Sequence, residues 1–156
     1  MATWSEFEQA NPAMAAAGRQ IIYQHGIGLG YLGTVRKDGG PRLHPFCPIV
    51  TDGGLYGLII DSPKQRDLRR DGQYAIHTFP VPDRDDEFYL TGRAARREDP
   101  ELERAVRATY LATGGGSDGS EQLFAFDLEH ALLSTYKRRG EPDNWPPHYD
   151  RWHARR

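Results

Sequence analysis

The sequence predicts a mainly β, α+β fold: a small antiparallel barrel with helices packed outside it. From Gly28 onward, short apolar runs alternate with Gly-containing turns such as Lys37-Asp38-Gly39-Gly40 and Thr51-Asp52-Gly53-Gly54. The gaps between the first three runs are too short for the helical crossovers of a parallel sheet. At 156 residues the chain is expected to form one domain over 1–156. A chain of that length buries ~70% of its unfolded surface. Helices are expected over 1–26 and a separate tail over 140–156.

Each element has a local reason. Thr3 and Glu6 fit a capping box, and Asn11-Pro12 restarts a helix whose stripe is Met14, Ala17, Ile21 and Ile22, ending at Gly26. Strands are expected over 29–36, 42–50 and 55–60, the last being the most apolar. Ser62 then supplies a helix N-cap, Pro63 suits the first helical position, and Gln65 completes a second capping box. Asp71-Gly72 stops that helix. Strands over 73–79 and 87–96 flank a polar loop, and Asp99-Pro100 starts a helix running to about Leu111. The Gly/Ser-rich stretch 113–120 reads as a mobile loop. Closing strands are expected over 122–128 and 131–137, with some helical character over 128–133.

Composition excludes several classes. Twenty basic residues against 22 acidic ones give a net charge of −2, without the basic footprint of a nucleic-acid binder. Only the end is locally basic, through Arg151, Arg155 and Arg156. Cys47 is the one cysteine, so no intramolecular disulfide exists and a reducing compartment is expected. No apolar run is long enough to span a membrane, and Glu6 and Glu8 interrupt any signal-like start. The expectation is a cytoplasmic protein with no membrane partner. The six histidines show no metal-ligand spacing, so no metal is expected. Gly114-Gly115-Gly116 lacks the Lys-Ser/Thr of a nucleotide loop.

Two segments carry candidate chemistry. At Ser62–Lys64, open helix amides, the positive dipole end and a cation meet, which is the recipe for holding a phosphate. The segment from Arg42 to Pro48 has two prolines in an otherwise strand-like run, so it is an edge or a bulge. Alternation puts Arg42, His44 and Phe46 on one side and Leu43, Cys47 and Ile49 on the other. The first set suits a flat, polar-edged ligand; an ordinary Pro-protected edge is the open alternative. His44 and His77 are candidates for hydrogen bonds to such a ligand or for proton relay. Thr34 is a further possible contact, and Cys47 reads as a small core residue. No obligatory catalytic residue stands out. Trp145, Tyr149, Trp152 and His153 either cross to a neighbouring subunit or pack on their own barrel.

The order TVRKDGGPRLHPFCPIV, GGLYGLIIDSPKQRDLRRDGQYAIHTF and DEFYLTGRAAR resembles the pyridoxamine 5'-phosphate oxidase-like group over roughly Gly28 to Arg97. The resemblance implies a six-stranded antiparallel split β-barrel with flanking helices. It further implies a homodimer that holds FMN, or alternatively the deazaflavin coenzyme F-420, between subunits. Ser62 and Lys64 fall on the family's phosphate-binding Ser and Lys. His44, Pro45 and Phe46 fall on the strand lining the ring, and Ile59 and Ile60 near the ring and ribityl chain. The implied activity is hydride transfer to or from a small organic substrate; the alternative is a non-catalytic flavin or tetrapyrrole carrier. The oxidases proper place an Arg where His44 stands, a Lys where Ile49 stands and an Arg where Pro63 stands. Pyridoxamine phosphate is therefore not the expected substrate. Arg66, Arg69 and Arg70 are candidates to replace the missing charge.

Overall fold

Turns and prolines set the path of the chain. The computed structural model describes residues 1–155; Arg156, the last residue of the basic end, lies outside the described residues. Helix α1 (Trp4–Ala10) opens on the expected Thr3–Glu6 capping box. Helix α2 (Pro12–Ile22) opens on Asn11, whose side chain accepts from the Met14 amide at 3.2 Å. Their apolar faces bury Trp4, Phe7, Met14, Ile21 and Ile22 against the sheet.

Among the described residues eight strands form the sheet, against the six expected: β1 (Gly30–Val35), β2 (Pro41–Phe46), β3 (Ile49–Thr51), β4 (Gly54–Ile59), β5 (Gln73–Thr78), β6 (Glu87–Arg96), β7 (Gln122–Thr135) and β8 (His148–His153). Helix α3 (Pro63–Arg70) lies between β4 and β5, and α4 (Pro100–Ala112) between β6 and β7. The strand order is β2-β1-β5-β6-β7-β4-β3, with β8 on β7, and every pairing is antiparallel.

That order has one geometric consequence. Strands β2 and β3 stand at opposite ends of the hydrogen-bonded path, yet only Cys47 and Pro48 separate them. Three backbone steps reach about 11 Å at most. The sheet must therefore curl until its two edges are neighbours, which makes it a barrel split between β2 and β3. The single strand expected over 42–50 is broken there because Pro48 cannot donate to a ladder.

Two further expectations change. Residues 122–135 form one 14-residue strand rather than two. Its register shifts where Thr91 pairs with His130 but Gly92 with Leu128, so Glu129 is an extra residue in a bulge. The tail forms β8 on its own β7, and the Trp152 ring packs 4.8 Å from Phe7. It thus packs on its own barrel.

Phe7, Leu32, Ile76, Phe88, Leu90, Phe124 and Phe126 fill the main core. A second cluster of Ile49, Tyr56, Val106, Leu123 and Ala125 seats α4 on the other face of β3, β4 and β7. No helix among the described residues is long and apolar enough to cross a membrane.

The bulge supplies a test. A Cβ at Gly92 would stand 1.9 Å from the Asp127 carbonyl oxygen, which is backbone and cannot swing away. Gly92→Ala is expected to cost about 1–3 kcal/mol, as overpacking typically does. A denaturant midpoint equal to that of the parent would contradict the close approach.

Candidate functional site

A single buried carboxylate docks α3 on the barrel. Asp67 is 4% exposed. Its Oδ2 accepts from Thr34 Oγ1 of β1 at 2.9 Å and from Arg42 Nε of β2 at 2.7 Å. Its Oδ1 accepts from Arg70 at 3.3 Å, and Arg70 also donates to the Val35 carbonyl. Burial alone pushes the Asp67 carboxyl up, but the hydrogen bonds from Arg42, Thr34 and Arg70 outweigh it and hold the group below the usual carboxylate range.

This docking fixes where α3 begins. Ser62 takes the extended N-cap conformation, yet its side chain makes no cap hydrogen bond. Its Oγ donates instead to the Ile60 carbonyl at 3.0 Å. Gln65 is buried and donates from Nε2 to the Ile59 carbonyl at 2.8 Å, tying α3 to the end of β4. The expected Ser62–Gln65 capping box is therefore absent, because both side chains serve the strand before the helix. The positive end of α3 is left without a side-chain cap.

Lys64 stands in this first turn, half-buried. Burial lowers its affinity for the proton, and the adjacent Cys47 thiol is the one group opposing that effect. Among the described residues no carboxylate pairs with this partly buried ammonium, which is locally unfavourable. Its charge is felt at His44. Burial, then the charges of Lys64 and Arg42, hold the His44 imidazole below its usual value, with Asp67 opposing. The imidazole is thus neutral at pH 7, and its Nε2 is buried without a hydrogen-bond partner. Three unsatisfied features converge here: an uncapped helix end, an unbalanced cation and an orphaned ring nitrogen. Together they fit an anionic, hydrogen-bonding group such as a phosphate ester.

The remaining expected site residues are scattered. Arg42, His44 and Phe46 do share a side, but that side faces inward. Phe46 is buried, its ring 5.3 Å from Phe126 and close over Gly57, so it is a core residue rather than an open surface for a ring. Ile59 is 1% exposed and also belongs to the core. Ile60 is half-exposed just ahead of Ser62. Pro45 and His77 both register with Tyr31, on the sheet face opposite His44. His77 Nδ1 lies 2.7 Å from the Thr78 carbonyl and its Nε2 3.1 Å from Glu87. It is satisfied locally, away from Lys64.

Of the arginines on α3, Arg70 serves Asp67 and Arg66 pairs with Asp61 at 2.9 Å. Thr34 contacts Asp67, and Cys47 is half-buried beside Lys64. Two grooves of about 700 Å³ flank the Arg96–Asp99 turn, without His44, Ser62 or Lys64 in their walls. Their Arg96 and Arg107 are already paired, with Glu98 and with Glu103 and Glu121.

Sequence reasoning missed Asp67. The available signal was a single acid inside the basic run Lys64–Arg70, next to Leu68 on the buried side of the helix. Asp67→Asn removes the charge while Arg42 and Arg70 stay about one-third exposed. The expected cost is about 2–3 kcal/mol, at the low end for breaking a buried pair because water can reach both guanidinium groups. A carboxyl with a lowered folded pKa stabilises fully above its unfolded value of about 3.9 and loses that contribution as pH falls through the folded value. The parent-minus-variant stability difference, measured by urea unfolding, should accordingly shrink below about pH 4. A pH-independent difference would contradict the assignment.

No protein-family model matches this sequence, and no curated protein matches it. Solved structures do. A heme binding protein from Mycobacterium smegmatis is 19% identical, with TM-score 0.63, over 88% of this chain and 57% of that one. This chain thus spans little more than half of that protein. General Stress Protein 26 from Bacillus anthracis is 20% identical, with TM-score 0.58, over 88% of this chain and 97% of that one. A Listeria innocua protein assigned as a pyridoxamine 5'-phosphate oxidase is 20% identical, with TM-score 0.57, over 74% of this chain and 93% of that one. The curled antiparallel sheet, its split and its flanking helices are those of the pyridoxamine 5'-phosphate oxidase-like split barrel, and this chain has that fold.

Proposed function

We propose that the protein is a flavin- or deazaflavin-dependent oxidoreductase that moves a hydride to or from a small organic substrate. The observation that carries this reading is the orphaned His44 Nε2 beside the unbalanced Lys64 ammonium at the uncapped start of α3. FMN places a phosphate there most simply; the phosphodiester of coenzyme F-420 is the alternative.

The chain's own residues divide the work. Lys64 and the first-turn amides of α3 hold the anionic end. His44, neutral at pH 7, offers one ring nitrogen to the bound molecule and orients it. Ile60 covers part of the same edge. A bound flavin supplies the hydride chemistry, and the protein supplies position and electrostatics. The cations that the vitamin oxidases carry at His44, Ile49 and Pro63 are absent, so the substrate is not pyridoxamine phosphate.

A second copy of the chain completes this reading. The outer sheet face exposes Leu43 and Tyr31 at 67% and 39%, with Pro45 next to them in register. Such an apolar face on a small protein favours self-association. The cytoplasm, where a lone thiol stays reduced, is the matching compartment.

Lys64→Ala tests the anion site. A charge-assisted hydrogen bond contributes ~1.5–3 kcal/mol, or roughly ten- to hundredfold in affinity. FMN and F-420 titrations followed by absorbance should weaken on that scale while the melting temperature holds. Equal affinity in parent and variant would refute the site.

The likeness to a heme binding protein favours one second reading, a carrier of flavin or tetrapyrrole without turnover. Absorption spectra with FMN and with haemin separate the ligands. Turnover of reduced cofactor against a substrate panel separates enzyme from carrier.

A further inference from the structure

Two imidazoles meet on the outer face of β7 and β8. His130 stands directly opposite His153 in the antiparallel register, and their ring centres lie 4.5 Å apart with the planes tilted by 38°. The bulge at Glu129 is what puts His130 there. Strict alternation from the buried Leu128 would turn His130 inward. Instead Leu128 and Ala131 are both buried, and the two residues between them fall outside, Glu129 exposed and His130 half-buried. On β8, Trp152 packs inward against Phe7, so the next residue, His153, turns outward and is exposed. The Tyr89 ring of β6 meets His130 edge-on at 6.2 Å and backs it from the other side.

That separation has a chemical meaning. Two imidazole nitrogens about 2.1 Å from one ion, at about a right angle, put their ring centres about 4.5 Å apart. Burial, then His153 and Arg151, hold the His130 imidazole below its usual value, so it is neutral at pH 7 and keeps a lone pair to give. Arg151 opposes a cation here, but its guanidinium is drawn over the Tyr149 ring, 5.3 Å from the ring centre. Among the described residues no third His, Cys, Asp or Glu joins the pair, which leaves the rest of a coordination shell to water.

We propose that His130 and His153 form a bidentate site for a borderline divalent transition-metal ion such as Ni²⁺, Cu²⁺ or Zn²⁺, and that the ion clips β8 onto β7. Imidazole suits these ions, whereas Mg²⁺ and Ca²⁺ want the oxygen ligands that this pair lacks. The clip closes the segment 136–147, whose far end is otherwise held by the β7–β8 ladder and the Trp152 ring. The two ligands come from different strands, which is why histidine spacing along the chain shows no metal motif. The site is separate from His44 and Lys64 and does not depend on the proposed cofactor.

The test is a calorimetric titration of the full chain with Ni²⁺ and with Mg²⁺ at pH 7, alongside the melting temperature. The parent should take up one Ni²⁺ per chain, melt at a higher temperature with it, and ignore Mg²⁺. Loss of a ligand's outer partner alone costs about 10–100-fold in metal affinity, so His130→Gln and His153→Gln should each weaken Ni²⁺ at least about tenfold and abolish the rise in melting temperature. His153 is exposed at the end of a strand, so His153→Gln without metal should melt as the parent does. His77→Gln, on the same face, should bind Ni²⁺ as the parent does. Below about pH 6, where protons compete for both rings, the ion should be released. A parent that takes up no Ni²⁺, or His153→Gln with the parent's affinity, would overturn the inference. One ion per two chains would overturn it as well, by placing the site between copies.

Discussion

The buried carboxylate of Asp67 is the contact on which the rest of the candidate site depends. It joins three separate pieces of chain, β1 through Thr34, β2 through Arg42 and α3 through its own backbone and Arg70. Without it, Arg42 and the Thr34 hydroxyl would lose this acceptor and Arg70 would keep only the Val35 carbonyl. Helix α3 would then be held by Leu68, Gln65 and the Arg70–Val35 bond. The phosphate-binding character of a helix start depends on where that start points. Asp67 sets that direction by fixing the middle of the helix, while Gln65 fixes its first turn to β4.

The strand order explains why the site lies where it does. A sheet whose first and last members are joined by two residues has to close on itself, and no ladder runs between β2 and β3 at the joint. His44 lies in β2, opposite Leu32 of β1 and on its inward face, and Cys47 lies within the joint. Helix α4 packs against β3, and α3 is tied to β2 through the Asp67–Arg42 pair. Trp4 Nε1, Gln122 Oε1 and Asn144 Oδ1 are also buried without partners, but only near His44 do an orphaned nitrogen, an uncapped helix start and an unpaired ammonium lie on neighbouring elements of the described residues. Broken local rules of this kind are expected at functional or strained places.

Much of the fold was legible because its signals are local. The Thr3–Glu6 box, the Asn11 cap and Asp99-Pro100 each mark a helix start within four residues, and the structure places those helices as expected. Strand β6 runs from Glu87 to Arg96, as its alternation indicates. What failed was non-local. The Glu129 bulge depends on Gly92 of another strand, and the Cys47-Pro48 break depends on the order of the whole sheet. At the site, the parity of Arg42, His44 and Phe46 was readable, but the inward direction of that face was not. Phe46 accordingly moved from ligand contact to core. Ser62 and Gln65 have the right residue types for a capping box, yet each finds a carbonyl at the end of β4 instead. Residue type indicated the chemistry, and tertiary contacts decided which partner each group took.

The most direct measurement is a crystal structure of the full chain grown with FMN. Density for the phosphate against the first turn of α3, within hydrogen-bond reach of Lys64 and with His44 Nε2 newly paired, is the expected result. FMN seated in the grooves beside Arg96, or on the outer face near His77, with His44 still unpartnered, would contradict the assignment of this site.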